Sequence, residues 1–252
     1  MKTQPALTLI ATAIALSLPV ALAPQTHAAT VVAPNQTANA GISTALNNGN
    51  RTYLMQYGAS LLSGINVGDQ ITGLTFRISS GQSNPSSPAT SFTNWDLTLA
   101  QAANPISSLS TTFASNLTNP VLVRSGALAF AAGAFPGGAV NPTTNPFGPV
   151  INFTTPYTYQ GGDLVVLISH TGGTDSIGFL SALNSTSLFS ALSATSFNAT
   201  SGSITAVTIT QFTTSPALPP ATTPEPSALV GLGVIVALGA GFKHRHTPAD
   251  KN

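Results

Sequence analysis

The feature that most constrains the fold of this 252-residue chain is an alternation of apolar and polar residues with a period of two. Leu74, Phe76 and Ile78 alternate with polar neighbours, and the segment that begins at Trp95 repeats the pattern. Because successive side chains of a strand point to opposite faces, this period predicts β-strands that are each buried on one face. No convincing amphipathic helix is found between residues 30 and 216.

Further segments are typical of strands in their content of Val, Ile, Thr and aromatic residues. They are residues 152–159, 164–169 and 204–212. The continuous Leu-Val-Val-Leu-Ile run within 164–169 predicts a strand buried on both faces, and residues 181–196 are expected to form loop or strand. Gly-rich and Pro-rich segments separate the strands. The sequence therefore predicts an all-β body over residues 29–212, an antiparallel, jelly-roll-like β-sandwich.

Several local features of this body carry their own expectations. Trp95 is expected to pack in the core, and the Gly161-Gly162 pair to make a hairpin turn with positive φ, capped by Asp163. Two long irregular segments, residues 79–93 and 131–149, interrupt the strands. In the second, Phe135 and Phe147 are expected to pin the loop to the body, with stacking on a ligand as the alternative.

The N-terminus has the organisation of a secretory signal peptide over residues 1–28. A positive start at Lys2 precedes an apolar run over residues 6–23. Thr26 and Ala28 place small residues at positions −3 and −1 of a cleavage site, and Ala21 and Ala23 do the same. A retained N-terminal membrane anchor is the alternative interpretation.

The C-terminus has three parts in a fixed order after a Pro/Thr linker over residues 213–223. Pro224, Glu225 and Pro226 come first, and an uncharged segment over residues 227–242 follows. The last part is a basic cluster: Lys243, His244, Arg245 and His246. A helix over 227–242 would be roughly 24 Å long, which approaches the ~30 Å bilayer core once Lys and Arg side chains snorkel. This predicts a single transmembrane helix with its basic end in the cytoplasm and residues 247–252 as a tail. A buried core helix is the alternative.

These residues resemble the PEP-CTERM sorting signal of exported proteins in Gram-negative bacteria. The Pro224-Glu225-Pro226 box and the following apolar segment match that pattern, while the cluster at 243–246 replaces its usual arginine run. The resemblance implies recognition by an exosortase-type membrane enzyme near the box. It also implies export through the inner membrane, membrane anchoring before tail processing, and a cell-surface or extracellular location afterwards. Such proteins are associated with exopolysaccharide and biofilm matrices.

The composition excludes several classes of function. Only 5% of the residues are charged. The chain has no Cys, so an exported protein of this sequence would not be stabilised by disulfides. The charged residues of the body are few and scattered: Arg51, Arg77, Arg124, Asp69, Asp96, Asp163 and Asp175. The Arg residues are expected to pair with Asp residues or to face solvent. Such a body has no basic field for nucleic acid.

The residues for catalysis or metal binding are also scarce. His170 is the only His of the body, where a surface position at a strand end is expected, and a zinc site needs three or four N or S ligands. No Glu precedes Glu225, so the body lacks a Glu for the general acid of a glycosidase. The four Asp residues, helped by carbonyl oxygens, are the candidates for a structural calcium site, although no Asp-x-Asp cluster is present. We expect no enzyme activity and no cofactor.

Three functional hypotheses follow. The first is an exported cell-surface or extracellular-matrix protein with a structural or adhesive role. The second is a carbohydrate-binding module that uses the aromatic rings of Tyr53, Tyr57, Phe135 and Tyr157. The third is a secreted hydrolase, which would need His170 within reach of an Asp and a Ser.

Overall fold

A computed structural model describes residues 28–38, 40–80, 85–140 and 143–217 of the chain. The predicted signal peptide, apart from Ala28, lies outside these residues. So do the second half of the predicted linker and the sorting tail from Pro224 onward. Within the described residues, no helix has the length and apolar character needed to cross a membrane.

The described residues form β-strands and short 3₁₀ helices, and they contain no α-helix. The strands are β1 (Ala29–Ala33), β2 (Ala40–Ile42), β3 (Arg51–Tyr57), β4 (Gln70–Thr75), β5 (Thr90–Phe92), β6 (Trp95–Ala102), β7 (Leu117–Arg124), β8 (Leu128–Phe130), β9 (Ile151–Thr158), β10 (Leu164–His170), β11 (Leu180–Leu183), β12 (Phe189–Ala194), β13 (Ser203–Thr205), β14 (Val207–Thr208) and β15 (Thr210–Ser215). The 3₁₀ helices are Thr44–Leu46, Ala59–Leu62, Ile106–Ser108 and Phe113–Asn116. The predicted all-β class is confirmed.

The strands form four sheets, and every pairing between them is antiparallel. A six-stranded sheet has the order β13-β12-β3-β10-β6-β7, and a four-stranded sheet has the order β1-β15-β4-β9. Smaller sheets have the orders β14-β11-β2 and β5-β8. Strand β10 lies between β3 and β6, and only Leu167 of its seven residues is partly exposed. The predicted strand with two buried faces is therefore confirmed.

The main apolar core contains side chains from both the six-stranded and the four-stranded sheet. Tyr57 of β3 contacts Phe212 of β15 edge to face, with 5.7 Å between the ring centroids. Trp95 is fully buried, as expected, and its Nε1–H donates to the carbonyl of Ala45 at 3.0 Å. The opposite face of the six-stranded sheet carries a smaller apolar cluster that Phe113 covers. Both faces of the central strands are thus buried.

The two ends of the body are neighbours in the four-stranded sheet. Strand β1 pairs with β15, with Ala29 opposite Thr214. Strand β15 continues to Ser215, three residues beyond the predicted end of the body at residue 212. In β15, Thr210, Phe212 and Thr214 are buried and alternate with partly exposed residues, and this alternation is hidden in the sequence because Thr occupies both faces.

Candidate functional site

The residues of the predicted sorting signal lie outside the described part of the chain. They are Pro224, Glu225, Pro226, Lys243, His244, Arg245 and His246. The structure therefore bears on the chemistry of the body.

His170 is a buried structural residue, and the prediction of a surface position is wrong. Its side chain is fully buried because the segment around Thr44 and the ring of Phe92 cover the end of β10. Nδ1 accepts the backbone N–H of Gly172 at 3.1 Å, so Nε2 carries the proton that bonds the Thr44 carbonyl, also at 3.1 Å. The pKa of His170 is lowered to about 4, mainly by burial; the hydrogen bond to the Thr44 carbonyl opposes this shift and the charge of Arg51 adds to it. Both ring nitrogens are hydrogen-bonded to the backbone, so His170 is not free to act as the base for a Ser nucleophile.

The four Asp carboxylates of the body stabilise separate loops. Asp163 illustrates this: it accepts the backbone N–H of Ala59 at 3.0 Å and Nε2 of Gln56 at 3.3 Å. It therefore ties the turn to a different segment, whereas a cap within its own turn was expected. Gly161 and Gly162 do have the predicted positive φ, 84° and 75°. Within the described ranges, no three His, Asp or Glu residues come together as a metal site would require.

The aromatic residues expected to stack on sugars are buried, so that part of the carbohydrate hypothesis is wrong. Tyr53, Tyr57 and Phe135 have no exposed surface, and Tyr157 is 3% exposed. Phe135 packs edge to face on Phe130 with centroids 5.0 Å apart. The expectation that Phe135 pins its loop to the body is confirmed.

The Arg side chains bind backbone carbonyls and an aromatic ring. The guanidinium of Arg124 donates to the carbonyls of Trp95 at 2.8 Å and Gly126 at 3.2 Å, and also to that of Ala127. The guanidinium of Arg77 lies 5.0 Å from the ring centroid of Phe147, which pins this second aromatic residue of the loop to the body. Arg77 and Arg124 thus have structural partners, with no Asp carboxylate bonded to either of them within the described residues.

An open groove lies between β7 and β9, the edge strands of the two large sheets. Strand β9 pairs with β4 at both of its ends, where Asn152 lies opposite Gly73 and Tyr157 opposite Ile71. Residues 153–156 between these pairs bulge away from β4. In the bulge, Thr154 Oγ1 donates to the carbonyl of Val123 in β7 at 3.0 Å. The bulge therefore brings the edges of the two sheets together beside the groove.

A second bulge shapes the other wall of the groove. Val121 of β7 lies opposite Leu99, and Thr118 lies opposite Gln101. Asn119 and Pro120 therefore share one position of β6, which is the arrangement of a β-bulge. Asn119 has a φ of 49°, a left-handed conformation that is uncommon for a residue other than Gly. The bulge turns the start of β7 away from the regular ladder.

The lining of this groove is polar but carries no charge. Its volume is about 460 Å³, within the range of small-molecule sites. Three side-chain amides line it, those of Gln101, Asn119 and Gln160, together with Thr158. Val121 and Pro156 supply its apolar surface. Within the described residues, the side chains of Gln101 and Asn119 make no hydrogen bond, so both are available to a ligand.

Tyr157 is the unusual member of this lining. It is 3% exposed, yet its hydroxyl has no hydrogen-bond partner within the described residues. The hydroxyl of the neighbouring Tyr159, in contrast, donates to the carbonyl of Gly162 at 2.6 Å. Burial and, secondarily, the neighbouring Tyr159 raise the pKa of Tyr157, so its hydroxyl stays protonated at neutral pH. The hydroxyl is not one of the buried side-chain atoms that lack a partner, so it reaches solvent at the groove.

Sequence reasoning missed this groove because two long-range registers form it. The only local signals were Pro120 and Pro156, since Pro within a strand marks an edge or a bulge. Comparisons of the chain with protein-family models, with curated proteins and with solved structures find no match.

Proposed function

We propose that this chain is an exported, non-enzymatic cell-surface or extracellular-matrix protein with a structural or adhesive role. The observation that carries the proposal is the three-part tail: the Pro224-Glu225-Pro226 box, the apolar segment 227–242 and the basic cluster 243–246. By resemblance to PEP-CTERM signals, an exosortase-type enzyme recognises this tail in the inner membrane. The body then reaches the cell surface or the exopolysaccharide matrix.

The body is, in this proposal, a jelly-roll-like β-sandwich that the linker holds away from the membrane. The contact between Tyr57 and Phe212 supports this arrangement, because it joins the six-stranded and four-stranded sheets through the core. Both ring nitrogens of His170 are hydrogen-bonded to the backbone, which supports a role without catalysis. An adhesive role is the variant that the uncharged groove between β7 and β9 favours.

The sorting proposal is tested in the cells that make the protein, by intact mass and C-terminal peptide mapping of membrane and extracellular fractions. The wild-type chain should end near Pro224 outside the cell. Glu225→Ala should leave a full-length chain in the membrane, and deletion of residues 243–252 should also prevent normal processing. Thr223→Ala, just outside the box, is the matched control and should be processed normally. Unaltered export and tail removal in both altered chains would show that the tail is not a sorting signal.

A further inference from the structure

We propose that the end of the body from which the C-terminal segment emerges is the surface that the processing enzyme contacts when the tail is removed. This exit surface consists of Val67, Gly68, Gly161 and Gly162, beside Ala217. The inference rests on the proposed function for the existence of that enzyme. It deepens the proposed function by giving the enzyme a contact surface on the folded body.

Hydrogen bonds fix the point at which the chain leaves the body. The backbone N–H of Ala217 donates to Oδ1 of Asp69 at 3.3 Å. Oδ2 of Asp69 accepts the backbone N–H of Asn66 at 2.8 Å and its side-chain Nδ2 at 3.0 Å. Asp69 is only 8% exposed, so its carboxylate holds Ala217, the last described residue, against the turn at 66–69.

The turn at 66–69 is joined to the segment that follows β9. The backbone N–H of Gly68 donates to the carbonyl of Tyr159, and the backbone N–H of Tyr159 donates to the carbonyl of Asp69, both at 2.8 Å. These two bonds place the Gly161-Gly162 turn next to the exit point of the chain.

The exit surface is small, uncharged and open. Val67 is 71% exposed and lies against Gly161, where an added Cβ would be 3.0 Å from Cγ2 of Val67. Gly161 and Gly162 have no side chains, so a partner can approach their backbone closely. The surface has no Lys or Arg to bind anionic lipid headgroups, which favours a protein partner over the bilayer.

Both segments that are predicted to enter the membrane connect to this end of the body. Strand β1 starts at Ala29, which lies opposite Thr214 near the end of β15. The predicted signal peptide and the predicted tail are therefore continuous with neighbouring points of the four-stranded sheet. Either segment, while it is attached, holds this end of the body toward the membrane that contains the enzyme.

The number of residues between the body and the Pro-Glu-Pro box limits how far the enzyme can be from the body. Ala217 and Pro224 are seven positions apart. An extended chain spans at most about 3.6 Å per residue, so their Cα atoms are separated by no more than about 25 Å. This distance is below the diameter of a small domain, about 30 Å. An enzyme whose active site holds the box is therefore brought against the exit surface.

Val140 provides the matched control for Val67, because the two side chains are 70% and 71% exposed. Val140 belongs to the loop whose Asn145 donates Nδ2 to the carbonyl of Ile78 at 3.1 Å. Strand β4 begins directly after Asp69, and its six residues carry the chain about 20 Å toward Ile78. Val140 therefore lies toward the opposite end of the body from the exit surface.

The first test changes the length of the segment between the body and the box. Deletion of residues 218–221 reduces the maximum span to about 11 Å, so the box cannot enter the enzyme beside the folded body and tail removal should be lost. Replacement of the same four residues by Gly-Ser-Gly-Ser is the matched control and should be processed like the wild-type chain. Tail removal is measured by intact mass and C-terminal peptide mapping in the cells that make the protein.

The second test adds bulk to the exit surface. The chain has no Cys, so Val67→Cys and Val140→Cys each provide a single site for a polyethylene-glycol maleimide. The full chain is purified in detergent from a host that leaves the tail intact, labelled, and incubated with solubilised membranes of the cells that make the protein. The label at position 67 should slow tail removal severalfold, and the label at position 140 should leave its rate unchanged. Both unlabelled variants should be processed at the wild-type rate.

Several results would overturn the exit surface as the contact of the enzyme. Normal tail removal in the deletion variant, or its loss in the Gly-Ser-Gly-Ser variant, would show that length does not limit the reaction. Equal rates for the two labelled chains would show that the enzyme does not contact this end. Loss in the deletion variant without an effect of the label at position 67 would assign the limit to the bilayer. Urea unfolding followed by Trp95 fluorescence checks that each variant is folded.

Failure of this inference and failure of the proposed function give different results. A wild-type chain that keeps its tail would refute the sorting proposal and the exit surface with it. A wild-type chain that loses its tail, together with any of the contrary results above, would refute the exit surface alone.

Discussion

Replacing Tyr53 by Phe should destabilise the body more than the same change at Tyr157 or Tyr159, whose hydroxyls have fewer hydrogen-bond partners. The side chain of Tyr53 is fully buried. Its hydroxyl donates to the carbonyl of Ala206 at 2.8 Å and accepts the backbone N–H of Thr208 at 2.9 Å. Oγ1 of Thr208 lies 3.1 Å from the same oxygen. The substitution keeps the ring and leaves these groups without that partner.

The size of the effect follows from the number of groups left unpaired. A buried donor or acceptor without a partner costs about 1–3 kcal/mol, so Tyr53→Phe should lower the free energy of unfolding by about 2–4 kcal/mol. Tyr159→Phe removes a single bond, to the carbonyl of Gly162, and should cost about 1 kcal/mol. Tyr157→Phe removes no bond to the described residues and should stay within about 0.5 kcal/mol.

Equilibrium urea unfolding measures this series, because Trp95 is the single Trp of the chain and lies in the core. The three variants share the same chemical change and differ in the partners of the lost hydroxyl. The transition midpoint should be highest for Tyr157→Phe, lower for Tyr159→Phe and lowest for Tyr53→Phe, and the slopes should be unchanged. Equal losses in all three variants, or a loss at Tyr157 as large as that at Tyr53, would refute the reasoning.

Three further predictions concern pH, packing and the extent of the body. In the unfolded chain a His has a pKa near 6.5, whereas burial lowers the pKa of His170 to about 4. The free energy of unfolding should therefore fall by up to about 3 kcal/mol as the pH drops from 6.5 to 4. When the urea midpoint is plotted against pH, His170→Gln should reduce the slope over this range. Gly148→Ala should lower the free energy of unfolding, measured by thermal unfolding, by about 1–3 kcal/mol because the added Cβ would overlap the ring of Phe135. Gly138 has a φ of 91° and open space around it, so Gly138→Ala is the control and should cost about 1 kcal/mol from backbone strain alone. A chain that ends after Ile209 should lose the cooperative transition seen by circular dichroism and one that ends after Ala217 should keep it, because β15 lies between β1 and β4.

Strands with a strong local pattern were predictable from the sequence. The continuous apolar run at 164–169 became β10, and the alternation after Trp95 became β6. Strand β3 was missed although it lies beside β10 in the six-stranded sheet. Its buried residues include Leu54 and Gln56 on the face opposite Tyr53, so no alternation is visible. That face is buried by Phe113, a residue distant in sequence, which no local pattern reports.

The segment 204–212 shows a second limit of local pattern. It was predicted as one strand, but it divides into β13, β14 and β15, which belong to three different sheets. A composition rich in Thr, Val and Ile favours extended backbone and does not specify which sheet the strand joins. Likewise, the burial of His170 depends on Thr44 and Phe92, and the groove depends on the registers of β7 and β9.

The pairing of β1 with β15 also limits how fast the chain can fold. Thr214 Oγ1 donates to the carbonyl of Ala29 at 3.4 Å across a sequence separation of 185 residues, nearly the whole length of the body. Contacts between residues so distant in sequence form only when the chain loses the conformational entropy of closing a very long loop. Such contacts are characteristic of slow folding. When the chain emerges N-terminus first, β1 stays unpaired until the last strand of the body has emerged. The four-stranded sheet is thus completed late, after most of the body has been made.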